Sequence, residues 1–457
     1  MIEQEPKKLH VAVFPWLAYG HILPFFELAK QIAQKGHKVS FISTPRNIHR
    51  LSKLPPNLQP FVELIELSLP RVDELPENAE ATMDIPYHIV PFLQKAFDGL
   101  EQPLTMFLNR STPDCIIYDF GSYWLPQISS KLGILSIYFN ICSAFGTSFI
   151  LSNVLANITE FPNQALLQKF EHKNISAVHY VPNESGVSDV SRFLEPILGA
   201  DVFATRSCME IEGESLKSIE NHLCKKPVIP VGLLPPSLQF NEDSNDDNWD
   251  KIQKWLDKQE KGSVIYVAFG DEVPLSKEHF DELAIGLEQS GFPYFWVVNK
   301  QNIPANSDFV ESQDDGIENM LNKQGVLWRT WAPQMRILAH KSIGGFFTHG
   351  GWRSVIESLQ VGCPLIMLPF QNEQGLVARF MEGKKVGIKV PRNEDDGNFT
   401  RDSVSKSLRL VMLEEEGKAY RRQAEEMSKI FCDTKLHQKY VDDFVHYLET
   451  HRPAIKH

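Results

Sequence analysis

From Leu9 onward the chain alternates between two hydrophobic rhythms. LHVAVF (9–14) is a short, unbroken apolar run rich in valine, the pattern of a parallel strand buried on both faces. After the loop PWLAYGH (15–21), Ile22, Phe25, Phe26, Ala29, Ile32 and Ala33 recur at helical spacing, with Pro24 in the first turn and Gly36 as the C-terminal stop. VSFIS (39–43) reads as a second strand, and CIIYDF (115–120) and ILSIYFN (134–140) extend the strand-helix-strand pattern. The rhythm weakens between Ile150 and Asp201, then resumes as strand at DVFATRS (201–207) and KPVIPVG (226–232).

The stretch LLPPSLQFNEDSNDDNWD (233–250) breaks this pattern, because two prolines followed by a polar, acidic run cannot bury apolar surface. It suggests a first domain over 1–240, an acidic linker over 241–250 and a second domain over 251–435. The second domain starts as the first did. SVIYVAF (263–269) is a strand, Ser276 can N-cap a helix carrying Phe280, Leu283, Ala284 and Leu287, and Gly291 can end it before the strand YFWVV (294–298). The amphipathic run LHQKYVDDFVHYLETH, inside 436–457, predicts a last helix that packs back on the first domain. No short solenoid repeat is present. The expected class is α/β: two open, mostly parallel sheets with helices on both faces. Ligands in such sheets bind beyond the carboxyl ends of the strands, so a cleft between the halves is expected.

Composition narrows the function. A chain of 457 residues, 42% hydrophobic and 23% charged, suits a soluble globular protein of two domains. Its net charge of -12 argues against general binding to nucleic acid or an anionic membrane, so an anionic ligand needs a local site. The N-terminus shows no signal-peptide pattern and no apolar run is long enough to span a bilayer. The six cysteines are scattered, without a CxxC pair or zinc spacing, which predicts buried free thiols and a cytoplasmic protein.

Chemistry concentrates at one turn. IGGFFTH (343–349) reads as a strand and WRSVIESLQ (352–360) as a helix, with Gly350 and Gly351 between them. Helix N-termini present unpaired N–H groups and partial positive charge, so they attract phosphates. His349, Arg353 and Ser354 add side-chain donors. Glu357, one turn beyond Arg353, suits sugar hydroxyls better than phosphate, and Trp331 offers a flat face for a base. Singly, each has a plainer reading: an exposed Arg353–Glu357 helix pair, a core Trp331, glycines that only turn the chain. His21, just before a helix, and Asp119, at the end of another strand, could form a base and its orienting carboxylate, or be a loop histidine and a helix cap.

Together, residues 331–374, WAPQMRILAHKSIGGFFTHGGWRSVIESLQVGCPLIMLPFQNEQ, resemble the signature box of plant family-1 UDP-sugar-dependent glycosyltransferases. The segments FPWLAYGHILPFFELAK, STPRNIHRL, PENAEATMDIP, IPVGLLPP and PRNEDDGNFTRDSVSKSLRLVM carry the likeness over nearly the whole chain and look most like the branch that adds a sugar to an existing glycoside. The resemblance implies a GT-B fold of two Rossmann-like domains. It implies that Trp331 stacks on uracil with Ala332 and Gln334 nearby, and that Glu357 binds the ribose. His349, Ser354 and the backbone around Gly351 and Trp352 would hold the diphosphate, and Glu373 and Gln374 the transferred sugar. His21 would be the general base and Asp119 its partner, in a direct displacement that inverts the anomeric carbon. No cofactor or metal is expected, the helix end taking a metal's electrostatic role.

Three positions depart from the box. Gly350 stands where Cys or Ser is frequent, Arg353 where Asn is common, and Glu373 where Asp is commoner. Asp271, after Gly270 in a loop facing the diphosphate, replaces a frequent Ser and would repel it unless paired; Arg353 could neutralise Asp271 or contact the phosphate directly. UDP-glucose is the first-choice donor and UDP-rhamnose the second. A hydrophobic glycoside acceptor, terpenoid or flavonoid, would meet Phe14, Trp16, Phe120, Tyr123, Trp124, Phe145 and Phe149, most of which read singly as core. A monomer is expected. A Rossmann dehydrogenase would need G-x-G-x-x-G after the first strand, where this chain has PWLAYGH. A non-catalytic nucleotide-sugar binder would have no need of His21 with Asp119.

Overall fold

In the computed structural model the first apolar run forms β1 (His10–Phe14), and its alternating side chains serve two cores. Val11 and Val13 pack with Ile22, Phe25 and Ala29 of the helix Tyr19–Gln34 and with Val441, Phe444 and Leu448 of the last helix, Thr434–Thr450. Ala12 and Phe14 join Phe97, Leu125 and Phe203 on the opposite face. Burial on both faces is why the run is apolar throughout rather than alternating. The structure describes residues 8–155, 168–171, 180–238, 247–270, 275–298, 318–319, 324–371 and 373–452.

Beside β1 lie β2 (Lys38–Ser43), β3 (Val62–Glu66), β4 (Cys115–Tyr118), β5 (Leu135–Asn140), β6 (Val202–Thr205) and β7 (Val228–Pro230). They pair in parallel in the order β3-β2-β1-β4-β5-β6-β7. A second sheet contains β8 (Val264–Ala268), β9 (Tyr294–Val297), β10 (Glu318–Asn319), β11 (Gly325–Trp328), β12 (Ile343–Thr348), β13 (Leu365–Met367) and β14 (Gly387–Lys389). Its order is β10-β11-β9-β8-β12-β13-β14, parallel except where β10 runs against β11.

Both sheets are therefore doubly wound, and strand order reverses between β1 and β4 in one and between β8 and β12 in the other. Crevices at such reversals are where open α/β sheets bind ligands. The helix that follows β1 carries His21, and the loops leaving β4, β8 and β12 carry Asp119, Gly270 and His349.

The chain divides into two compact units, Met1–Thr159 with Ser176–Leu234 and Thr434–His457, and Glu160–Ile175 with Pro235–Asp433. The division falls between Leu234 and Pro235 rather than at 240, and Glu160–Ile175 goes with the second unit although it lies inside the first half of the sequence. Of the acidic stretch 241–250, residues up to 246 lie outside the described ones, and a helix runs from Asp247 to Leu256. Among the described residues no helix is long and apolar enough to cross a membrane. None of the six cysteines is in a disulfide, and not all are buried: Cys142, in the bend after β5, is half-buried, and Cys432, the C-cap of the helix Gly417–Phe431, is exposed.

Candidate functional site

Asp119 follows β4 directly and is 1% exposed. Backbone N–H groups fix its carboxylate: Trp16 donates to both oxygens at 3.1 and 3.0 Å, and Gly121 donates to Oδ1 at 3.2 Å. Its Oδ2 lies 2.8 Å from His21 Nδ1. A carboxylate only accepts, so Nδ1 carries the hydrogen and Nε2 keeps its lone pair. The His21 side chain is 19% exposed, against 2% for Asp119, which leaves the ring accessible beyond a buried anchor. His21 is not in a loop before the helix. Ala18 O accepts from both His21 N and Ile22 N at 2.8 Å, so the helix starts at Tyr19 and His21 sits in its first turn. Pro24 is consequently inside the helix, not in its first turn.

Arg192 braces this corner, and nothing in the sequence pattern marks it. The residue is 1% exposed, pairs with Asp98 through two bonds, and donates from Nη1 to Gly121 O at 3.3 Å while its guanidinium lies 5.1 Å from the Tyr123 ring. Gly121 thus holds Asp119 through its N–H and is itself held by Arg192 through its carbonyl.

The second constellation surrounds the junction of β12 with the helix Trp352–Gln360. The two glycines act for different reasons. Gly350 adopts φ 86°, which L side chains rarely tolerate, so glycine suits this turn better than Cys or Ser. At Gly351 an added Cβ would lie 2.6 Å from His349 Nε2, so only glycine lets the imidazole rest against the helix start. Desolvation lowers the His349 pKa to about 4, against the opposing effect of a hydrogen bond with the Ala268 backbone. The ring is therefore neutral at pH 7 and carries one N–H and no charge.

Glu357 is 1% exposed, and both its oxygens are engaged. Arg353 Nε donates to Oε1 at 2.7 Å and Gln334 Nε2 to Oε2 at 2.6 Å, while Gln334 Oε1 accepts from Tyr266 OH at 3.2 Å. This is not an exposed helix pair but a buried carboxylate held in one orientation, with a remaining lone pair on each oxygen for a diol. Both ends of the Gln334 amide are used in the tether. Tyr266 was unmarked in the sequence, although it is the one polar side chain of the buried strand β8. Trp331, by contrast, is 71% exposed. Its main chain is fixed by Trp328 Nε1 donating to Trp331 O at 3.3 Å, so an apolar face stands open on a held backbone. Ala332 is buried beside it, and Ser354 is half-buried one residue after Arg353. Gln374 Oε1 accepts from Phe370 N and Gln371 N at 2.9 and 3.1 Å, leaving Nε2 as its end for a ligand, and Glu373 precedes it as N-cap of the helix Gln374–Gly383.

Residues 240–451 match the family model described as UDP-glucoronosyl and UDP-glucosyl transferase. The chain is 44% identical to UDP-glycosyltransferase 91D2 of Stevia rebaudiana over 99% of its own length and 98% of that protein's. This chain is a plant family-1 UDP-dependent glycosyltransferase. It is also 41% identical to the Soyasaponin III rhamnosyltransferase of Glycine max, over 98% of this chain and 96% of that one. The crystal structure of Glycyrrhiza uralensis UGT73P12, complexed with glycyrrhetinic acid 3-O-monoglucuronide, superposes with a TM-score of 0.78 over 97% of this chain and 96% of that one, at 22% identity. The fold is accordingly GT-B, and the enzyme transfers sugar from a UDP-sugar to an acceptor.

Within this glycosyltransferase several expected acceptor contacts are instead core. Phe14 is fully buried and stacks on Phe97 at 4.9 Å, Trp16 meets Phe97 edge-on at 5.2 Å, and Trp124 is 6% exposed, so none has a free face to offer. Tyr123 is half-buried under Arg192. Phe120, Phe145 and Phe149 keep partial exposure, and the Phe120 ring lies 5.2 Å from the His21 ring. Asp271 lies outside the described residues. Among those described, Arg353 is committed through Nε to Glu357.

Proposed function

We propose that the enzyme transfers glucose from UDP-glucose to a sugar hydroxyl of a hydrophobic terpenoid or flavonoid glycoside, with inversion at the anomeric carbon. The observation that carries this reading is the His21–Asp119 pair, 2.8 Å apart at the strand-order reversal of the first sheet with Nε2 as its open end. Nε2 takes the acceptor hydroxyl proton as that oxygen forms its bond to the anomeric carbon, and the bond from that carbon to the UDP oxygen breaks on the opposite face. Asp119 stabilises the charge the imidazole gains. Oxocarbenium character in the transition state is expected by analogy with glycoside hydrolysis.

UDP is assigned to the second unit. Trp331 takes the uracil, Glu357 the ribose hydroxyls, and Ser354, His349 and the N–H groups at Gly351 and Trp352 the diphosphate. Charge on the leaving group is met by the end of the helix Trp352–Gln360 and by the Arg353 guanidinium. The proposed mechanism uses no divalent metal, and turnover should survive chelator. Glu373 and Gln374 receive hydroxyls of the transferred sugar. All these groups come from one chain, so the activity is proposed for the monomer. UDP-rhamnose is the second reading for the donor, favoured by the name of the Glycine max relative.

Incubation with UDP-glucose or UDP-rhamnose and matched aglycones, monoglycosides and diglycosides, scored for UDP release and product mass, tests the reading. Glucose added to a monoglycoside is the expected result; transfer only to aglycones would overturn the acceptor assignment.

A further inference from the structure

The four residues Gln168–Glu171 lie in the unpatterned part of the first half of the sequence, yet they belong to the second unit. There they meet two cations that hold the chain on either side of Glu373 and Gln374. Arg392 follows β14 and donates from Nη1 to Pro369 O and from Nε to Gly397 O. Its guanidinium sits among three rings, 4.7 Å from Phe170, 5.6 Å from Phe370 and 5.9 Å from Phe399. Burial among them lowers its pKa to about 10, so the cation persists at neutral pH and the rings supply its counter-field. Phe170 gives the shortest of these contacts, is 8% exposed, and is pinned by its N–H donating to Glu394 O at 3.2 Å.

The second cation is Arg379. Its Nη1 donates to Gly375 O at 2.9 Å and its Nη2 is paired with Glu171 Oε2. The side chains of Arg379 and Glu171 are only 15% and 11% exposed, so each charge has little bulk water as an alternative partner. Glu171 is oriented by Gln168 N, which donates to Oε2 at 2.7 Å, and its Oε1 lies against Gly375, where any Cβ would collide with it. Lys389 Nζ adds a bond to Gln168 Oε1 at 3.3 Å. The stretch Pro369–Gly375 is thus gripped at its first residue by an arginine capped by Phe170, and at its last by an arginine neutralised by Glu171. Gln374 Oε1 closes the turn between them by accepting from Phe370 N and Gln371 N.

We propose that Phe170 and Glu171 are positioning residues for the transferred sugar, setting the geometry of Glu373 and Gln374 through Arg392 and Arg379. The proposal rests on the reading of Glu373 and Gln374 as partners of the sugar hydroxyls. It makes the sugar subsite depend on residues from the first half of the sequence, and predicts that changes there alter recognition of the hexose without altering recognition of UDP.

The test is calorimetric titration of the full chain with UDP, UDP-glucose and UDP-rhamnose, comparing wild type with Phe170→Leu, Phe170→Ala, Glu171→Gln and Glu171→Asp. In Phe170→Ala and Glu171→Gln the ratio of UDP-sugar Kd to UDP Kd should rise by about three- to tenfold, with UDP Kd itself within about twofold of wild type. The conservative Phe170→Leu and Glu171→Asp should recover part of the loss. A ratio unchanged in both variants, or UDP and UDP-sugar weakened in parallel, overturns the proposal. Glu373→Ala and Gln374→Ala are the parallel arm. If they too leave the ratio unchanged, the sugar assignment itself fails. If they shift it while the Phe170 and Glu171 variants do not, only the positioning role fails.

Discussion

Replacing Trp331 with alanine removes an aromatic face that the free protein hardly uses. A tryptophan side chain offers roughly 250 Å² of contact surface. With 71% of the residue exposed, about 180 Å² faces solvent, and a base lying on one face covers roughly 70 Å² of it. At ~25 cal/mol per Å² that contact is worth ~2 kcal/mol, inside the range of about 1–3 kcal/mol per base found for stacking on aromatic residues. UDP should then bind roughly 30-fold more weakly to Trp331→Ala. The main chain at this position is held by the Trp328 indole, a bond that survives the substitution. Thermal stability should therefore change by no more than about 0.5 kcal/mol, as for an exposed site. Calorimetric titration with UDP and with uridine, beside thermal melts, reads both quantities, and Trp331→Phe should restore part of the affinity. UDP affinity within twofold of wild type, or a loss of affinity that tracks a fall in melting temperature, would refute the stacking platform.

Three further outcomes follow from the same geometry. His21→Ala should lower kcat by about 10²–10⁴ while UDP titration gives an unchanged Kd, and full turnover in that variant would remove His21 as the base. Arg353→Asn leaves the buried Glu357 with Gln334 as its one side-chain donor of the two seen here, so UDP should bind about tenfold more weakly. In a cycle with Glu357→Gln the losses should be non-additive by at least about 0.5 kcal/mol, and strict additivity would sink the pairing. His349 titrates near pH 4 when folded but near 6.5 when unfolded, so between these values the unfolded chain binds the extra proton. Stability contributed by the neutral ring is thus lost as pH falls from about 6.5 to about 4, by about 3 kcal/mol, and then levels off. Denaturant melts of wild type and His349→Gln across that window should differ in slope; parallel curves would contradict the desolvated neutral histidine.

The sequence alone sets the strand-helix alternation, because burial of a parallel strand on both faces demands an unbroken apolar run such as that of β1 or β8. It also determined the glycine turn after β12, since an L side chain at Gly350 or Gly351 would meet either a positive φ or the His349 ring. These are local constraints, written where they act. Which neighbour covers a side chain is not local. Trp16 and Trp331 are the same residue type in similar loop contexts, yet one is 3% exposed against Phe97 and the other 71% exposed. The ties of Glu357 to Arg353 and Gln334, of Arg192 to Gly121, and of Glu171 to Arg379 span separations from 4 to 208 residues, and only the first has a spacing that a helix could announce. Periodicity reports that a face is apolar or polar; the partner that meets it is chosen when the sheets form and distant segments compete for the same surface. Tertiary packing therefore decided which aromatics are core, which carboxylate is held, and why a segment without pattern belongs to the second unit.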